Sequence, residues 1–234
     1  YDHGNGSALT MGRYESMLGL EAKEPTGLYQ FSTAYDGNNF LPQYGQGVKY
    51  TGQSNDLSYG LSLQDESFDN GGGRLGGSNN TLATPDGSYS VEAAVALTSG
   101  NFTYSLGGAF EDADALGDNS IINAHVTYVS GAWTFGAEYN VADIETSDNA
   151  EVDSWLVMAN YAYSDCCSVT GRISSVERED DVASDQEALK YTLAHNYALS
   201  DNLAIITEVS LVESEDGSID EDELTGAVEV LFTF

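Results

Sequence analysis

The side chains that could do chemistry stand singly, each on a different run of alternating apolar and polar residues. Glu92, Glu111, His125, Glu138, Glu208 and Glu229 occupy the polar side of such runs, and Lys49, Arg172 and Lys190 share that side. Arg13, in Gly12-Arg13-Tyr14, has neighbours that leave its face open. Acid–base or nucleophilic work needs two such groups within hydrogen-bond reach of one reacting atom. A lipase-type barrel would need a serine beside a histidine, and a protease-type barrel would need paired carboxylates with a histidine at its mouth. The only histidines are His3, His125 and His195. His125 is flanked by Ala124 and Val126, and His195 shares parity with Tyr191, Leu193 and Tyr197, so no spacing ties either to a partner. Enzyme activity is not expected. Mixed charges on the inner face of a water-filled barrel would instead line a path and set a field across it, and the excess of carboxylates would favour cations. The competing reading is that they only solvate the wall or pair across strands.

What must position these residues is a set of strands. Helical periodicity is almost absent and period two runs through the chain. Residues 101–111 put Phe102, Tyr104, Leu106, Gly108 and Phe110 on one side, with Thr103, Ser105, Gly107, Ala109 and Glu111 on the other. Residues 87–98 repeat the pattern, joined to the first run by the turn Thr98-Ser99-Gly100-Asn101. Further strands are predicted at 7–14, 27–35, 43–51, 57–65, 120–129, 132–142, 153–163, 168–177, 188–198, 202–213 and 223–234, with 7–14 and 27–35 the weakest. The total is about thirteen. Residues 15–26 read as an inward-folded or plug-like link. The last run, Val228 to Phe234, is apolar and aromatic-ended on one face and carries Glu229 on the other, as a strand between lipid and a watery lumen requires.

Connections alternate in kind. Short turns at 51–56, 98–101, 129–131, 164–167 and 199–201 are interleaved with longer links at 66–86, 112–119, 143–152, 178–187 and 214–222. Brief turns at one rim and extended loops at the other are the asymmetry of an outer-membrane barrel. Phe102, Tyr128, Trp133, Tyr163, Tyr197, Phe232 and Phe234 fall beside short turns or the chain end, and Trp155 lies toward the long links, so two belts of rings are expected at the water–lipid boundaries. The fold class is therefore an all-β transmembrane up-and-down barrel with about 12–14 strands, in one domain over residues 1–234. Closed single-chain barrels use even strand counts. The odd count predicts either absent N-terminal strands, making this the C-terminal major part of a longer barrel, or a false strand within 15–35.

Composition narrows the partners. With 7 Lys+Arg against 38 Asp+Glu, the net charge of −31 repels nucleic-acid phosphates and anionic headgroups, so nucleic acid is excluded. Two stretches are crowded with carboxylates: Glu177 to Glu187 and Glu213 to Glu223. Such oxygen donors could hold calcium or magnesium loosely and bridge to lipopolysaccharide phosphates, although the spacing lacks an EF-hand frame; a solvated surface is the plainer reading. No other cofactor is expected. Cys166-Cys167 occupies a short turn, where adjacent thiols could form a strained disulfide. Gly71-Gly72-Gly73 and Gly76-Gly77 read as loop, since no Lys-Ser/Thr follows to make a phosphate cradle.

The stretch Thr10-Met11-Gly12-Arg13-Tyr14, followed by Leu18-Gly19-Leu20-Glu21-Ala22, Glu24-Pro25-Thr26 and Leu28-Tyr29-Gln30, resembles the OmpL-like β-barrel porins of Gram-negative outer membranes. So does Tyr191-Thr192-Leu193-Ala194 with Asn196 to Leu203, which is similar to that family's penultimate hairpin. The resemblance implies a passive diffusion channel in the bacterial outer membrane. It also implies further strands before the Gly-Arg-aromatic segment, an Arg13 that faces the pore near a constriction, recognition of the Phe234 end by the barrel-assembly machinery, and contacts with the lipid bilayer, lipopolysaccharide and further copies in a trimer. The alternative function is a structural or adhesive surface barrel with ion-binding acidic loops and a blocked lumen.

Overall fold

Alternating side chains commit a chain to pleated strands, and strands between lipid and water must pair along their whole length. The computed structural model describes residues 6–35, 40–65, 67–68, 89–112, 117–145, 149–181, 185–217 and 219–233. Its strands are β1 (Ser7–Glu15), β2 (Tyr44–Ser54), β3 (Leu57–Gln64), β4 (Tyr89–Ser99), β5 (Phe102–Asp112), β6 (Asp118–Ser130), β7 (Trp133–Ile144), β8 (Ala150–Ser164), β9 (Cys167–Asp180), β10 (Gln186–Ser200), β11 (Leu203–Asp216) and β12 (Ile219–Phe232). They form one 12-stranded sheet in the order β1 to β12, each pairing antiparallel with the next. Among the described residues β1 and β12 do not pair with each other. The short turns β2–β3, β4–β5, β6–β7, β8–β9 and β10–β11 therefore share one end, and the remaining links share the other.

Among the described residues the strand count is twelve, because 27–35 is not a strand. It belongs to the link between β1 and β2, whose described residues include a 3₁₀ turn at Pro25–Gly27. Its alternation of Tyr29, Phe31 and Thr33 with Leu28, Gln30 and Ser32 is strand-like, but its backbone groups bond to side chains of the wall, as described below. The acidic stretches also differ from expectation. They lie mostly within strands, since β9 runs to Asp180, β10 starts at Gln186, and β11 and β12 reach Asp216 and Ile219. Much of the 66–86 link, with its glycine clusters, lies outside the described residues, as do His3 and Phe234.

Polarity is inverted relative to a water-soluble domain. The inward face buries Ser62, Glu92, Asn123, Glu138, Asn140, Arg172, Ser174, Thr192 and Glu208, whereas Leu61, Leu63, Leu106, Ile122, Val157 and Leu193 are exposed on the outward face. A buried polar lining beneath an exposed apolar wall is stable only where lipid covers the wall. At the short-turn rim, a run of rings crosses β5 to β8. Phe102 lies 4.5 Å from Tyr128, Tyr128 6.3 Å from Phe135, Phe135 5.5 Å from Trp133 and Trp133 4.4 Å from Tyr161, centre to centre. Tyr163 and Tyr197 stand further along the same rim, Trp155 lies toward the opposite end of β8, and Phe232 is exposed on β12.

Candidate functional site

The described residues of the link between β1 and β2, 16–35 and 40–43, turn into the barrel and lie along its inner wall, tied at the neck by the Ser16 N–H, which donates to the Gln43 carbonyl at 2.9 Å. The link's first stretch, Met17-Leu18-Gly19-Leu20, crosses β3 to β7 by seating side chains on wall glycines. A Cβ on Gly60 would collide with Met17 Sδ; one on Gly107 would lie 2.5 Å from Leu18 Cδ2, and one on Gly136 2.7 Å from Leu20 Cδ2. Gly19 itself has φ +97°, a backbone that favours glycine.

Strand polar groups bind this stretch from beneath. Glu92 accepts from Ser16 Oγ at 2.7 Å and from the Met17 N–H. Asn123 Oδ1 accepts from the Gly19 N–H at 3.2 Å, and Glu138 accepts from the Leu20 N–H and from Tyr35 Oη, the latter at 3.0 Å. Asn140 Nδ2 completes this group by donating to Glu138 Oε1 at 3.1 Å.

The second stretch is strapped to β9, β10 and β11. Arg172 forms an ion pair with Glu21 and donates to the carbonyls of Ser32 at 2.9 Å and Thr33 at 3.0 Å. Lys190 Nζ donates to the same Thr33 carbonyl at 3.0 Å, and Ser174 Oγ to that of Ala34 at 2.8 Å. Glu208 accepts from the N–H groups of Phe31 (2.7 Å) and Ser32 (3.0 Å) and from Ser32 Oγ (2.5 Å). Thr170 Oγ1 and Asn196 Nδ2 both donate to the Tyr29 carbonyl. Leu18, Tyr35, Phe40 and Leu41 then bury against Ile121, Leu156 and Met158 of the wall, forming an apolar cluster inside the barrel. Burial raises the carboxyl pKa of Glu21 despite the guanidinium beside it, and lowers that of the Lys23 ammonium, which Glu138 and Glu92 face.

The charges expected on the inner face thus take different roles. Glu92, Glu138, Arg172, Lys190 and Glu208 are buried and engaged with the inner link. Glu111 accepts from the N–H groups of Ser67 (2.5 Å) and Phe68 (3.2 Å), holding the start of the next link. Lys49 Nζ sits 4.7 Å from the centre of the Tyr14 ring and donates to the Glu15 carbonyl at 2.8 Å. His125 is half-buried with Nδ1 3.0 Å from Asn123 Oδ1, and Glu229 is half-buried on β12 opposite Ile206 in register. Arg13 departs from the expected position. It is exposed on the face of β1 opposite the buried Tyr14, with its guanidinium 4.8 Å from the centre of the Tyr44 ring, because the side chains of adjacent strand residues point oppositely. Among the described residues no group of three or more His, Cys, Asp or Glu is placed to hold a metal ion.

The sequence reading did not single out Asn123, Asn140, Thr170, Ser174 and Thr192. Their signal was inward parity, shared with the charged residues, but neutral residues at those positions do not declare a partner. The seats at Gly60, Gly107 and Gly136 looked like ordinary sheet glycines.

Open space remains on the short-turn side of the link. A cavity of about 410 Å³ lies between Met17 and Gly19 on one side and Thr51, Gly52, Ser58, Gly60, Ala94, Ala96 and Ser105 of β2 to β5 on the other, with His125 at its edge. Small, mostly uncharged side chains leave this part of the wall recessed, while larger charged ones hold the link elsewhere.

A family profile described as "Putative beta-barrel porin-2, OmpL-like" matches residues 1–234. Among curated protein sequences none matches the chain. Among solved structures, the outer membrane channel DcaP of Acinetobacter baumannii is similar with a TM-score of 0.70 at 12% identity, over 97% of this chain and 71% of that one. OmpT, an outer membrane protein of Vibrio cholerae, in a form lacking loop L8, gives 0.67 at 13% identity over 97% and 76%. An anion-selective porin from Comamonas acidovorans gives 0.67 at 14% over 97% and 73%. At these identities the likeness is one of fold.

Proposed function

The chain belongs to the OmpL-like β-barrel porin family of the bacterial outer membrane, and from that premise we propose that it is a passive diffusion channel for small hydrophilic solutes with a preference for cations. The observation that carries the reading is the disposition of the inner link. It is hydrogen-bonded to the wall, and a recess along β2 to β5 beside Met17 and Gly19 stays open. A segment tied to strands from β3 to β11 narrows the lumen, and the recess beside it is the space this reading gives to solutes, so selection would be by size together with the field of nearby charges. No covalent step is involved.

Cation preference rests on charge. Glu92, Glu138, Glu208 and Glu229 lie on the inner faces of β4, β7, β11 and β12. Three of them, Glu92, Glu138 and Glu208, accept hydrogen bonds from the link, and the outer end of the wall adds further carboxylates. The anion-selective likeness from Comamonas acidovorans is no objection, because one fold carries either selectivity according to its lining residues.

Single-channel recording in a planar bilayer tests the proposal. Discrete conductance steps are expected; an intact, folded protein that gives none would favour the blocked, structural barrel. For selectivity, replacing the four carboxylates by Gln deletes the charge and, at Glu92, Glu138 and Glu208, keeps an oxygen that accepts the link's N–H groups. The reversal potential under a salt gradient should move toward anions, by less at high salt, since screening acts over about 8 Å at physiological ionic strength. An unmoved potential at low salt would refute the electrostatic part.

A further inference from the structure

The two cysteines of the chain are adjacent residues at the turn between β8 and β9, on the short-turn rim. That turn is pinned on two sides. Ser164 pairs with Cys167 across it, and the Cys166 carbonyl accepts a hydrogen bond from the Ala198 N–H of β10 at 2.8 Å. Cys166 is exposed and Cys167 half-buried. Their sulfur atoms are 2.9 Å apart, and Ser164 Oγ is 3.4 Å from Cys166 Sγ. Beside them Tyr163 Oη lies 2.7 Å from His195 Nε2, linking β8 to β10. Among the described residues neither thiol is part of the interior apolar cluster. Two accessible thiols held in contact by a fixed turn contribute nothing to the wall that serine would not.

We infer that Cys166 and Cys167 form a reversible dithiol–disulfide couple that exchanges with a disulfide carrier of the periplasm. Short turns of an outer-membrane barrel face that compartment, which is oxidising. The exchange balances without any other reagent. The Cys166 thiolate attacks one sulfur of the carrier disulfide, breaking that bond, forming a mixed disulfide and releasing one carrier thiolate. The Cys167 thiolate then attacks the Cys166 sulfur, closing the Cys166–Cys167 bond and releasing the second carrier thiolate. Two electrons pass to the carrier, and the two cysteine protons are matched by two taken up on its thiols.

Reversibility follows from adjacency. Neighbouring Cα atoms are about 3.8 Å apart across a trans peptide, short of the roughly 4.4–6.8 Å that relaxed disulfides span. A bond closed at that separation is strained and readily takes two electrons back from an attacking thiol, so the couple responds to the compartment's thiol balance where an ordinary structural disulfide does not.

The test is thiol counting on the full-length protein in its own outer membranes. Membranes are quenched in acid, and the protein is denatured and alkylated with a maleimide of known mass, with and without prior dithiothreitol. No adduct before reduction and two after it are expected, with a monomer on non-reducing gels. The variants Cys166→Ser and Cys167→Ser should each accept one adduct without reduction. Two adducts on the unreduced wild type, or a wild-type dimer that dithiothreitol dissolves, would overturn the inference. Millimolar glutathione, added before quenching, should restore both thiols; resistance to it would overturn the reversible part.

Discussion

Arg172 is the residue on which the inner link depends most. It meets the Glu21 carboxylate and two backbone carbonyls while almost fully buried. Removing one partner of such a group costs about 3–5 kcal/mol, because the other charge and its acceptors stay buried without compensation. The Arg172→Met variant should therefore speed hydrogen exchange at the Phe31 and Ser32 amides by about a hundredfold or more. Glu21→Gln should do much less. Burial already disfavours the Glu21 charge, and glutamine keeps an oxygen for the Ala34 N–H, which Glu21 accepts at 2.8 Å. Equal effects of the two variants would show that the ion pair, and not the bonds from Arg172 to the Ser32 and Thr33 carbonyls, is what holds this stretch.

At the scale of elements, the link and the wall fit as knobs over glycines. A methyl on Gly136 would stand 2.7 Å from Leu20 Cδ2 and 3.0 Å from Met158 Cγ. Gly136→Ala should lift the first stretch and expose it to limited proteolysis, whereas adding Leu20→Ala should restore protection, because contacting residues couple. Restoration failing would mean that Met158, not Leu20, decides the fit. The outward face poses the opposite problem. Asp153, Glu177, Glu187, Glu215 and Asp220 stand directly opposite one another in register across β8 to β12. Like charges directly opposed are destabilising by a few tenths to about 1 kcal/mol per pair, and salt screens them. Thermal stability should accordingly rise with sodium chloride, and Glu177→Gln with Glu187→Gln should flatten that dependence. A salt-independent wild type would place these side chains too far apart to interact.

For the whole molecule, the decisive property is which face meets lipid. Leu193, near the middle of β10, is exposed among Tyr191, Ile173 and Val209. Leu193→Arg should destabilise the protein in lipid vesicles by about 2–4 kcal/mol, as a charge at mid-bilayer depth does, measured by urea unfolding. Asp220→Arg, in the acidic row above that band, should be neutral or stabilising. If both substitutions proved harmless, the outward face would not be in hydrocarbon.

Much was determined by the sequence alone, because strand alternation is local. Residues two apart share a face whatever the rest of the chain does, so the inward parity of Glu92, Glu138 and Glu208, the outward parity of Trp133, Phe135 and Tyr139, and the five short turns could be read directly. Local pattern could not tell the 27–35 segment from a strand, since its backbone partners, Glu208, Thr170 and Asn196, lie more than a hundred residues away. Nor could parity say what an inward carboxylate would meet, water or the N–H groups of a folded-in link. Glu92 and Met17 are 75 residues apart, and only curling the sheet brings them together. The same holds for the glycine seats, where the fit belongs to neither partner. Arg13 shows the limit from the other side: a single residue beside Gly12, whose φ is +113°, has no alternation to lean on. Tertiary structure therefore decided whether the charged face serves as an open lining or as an anchor, because that depends on one distant segment finding enough donors, acceptors and vacant volume on the wall at once.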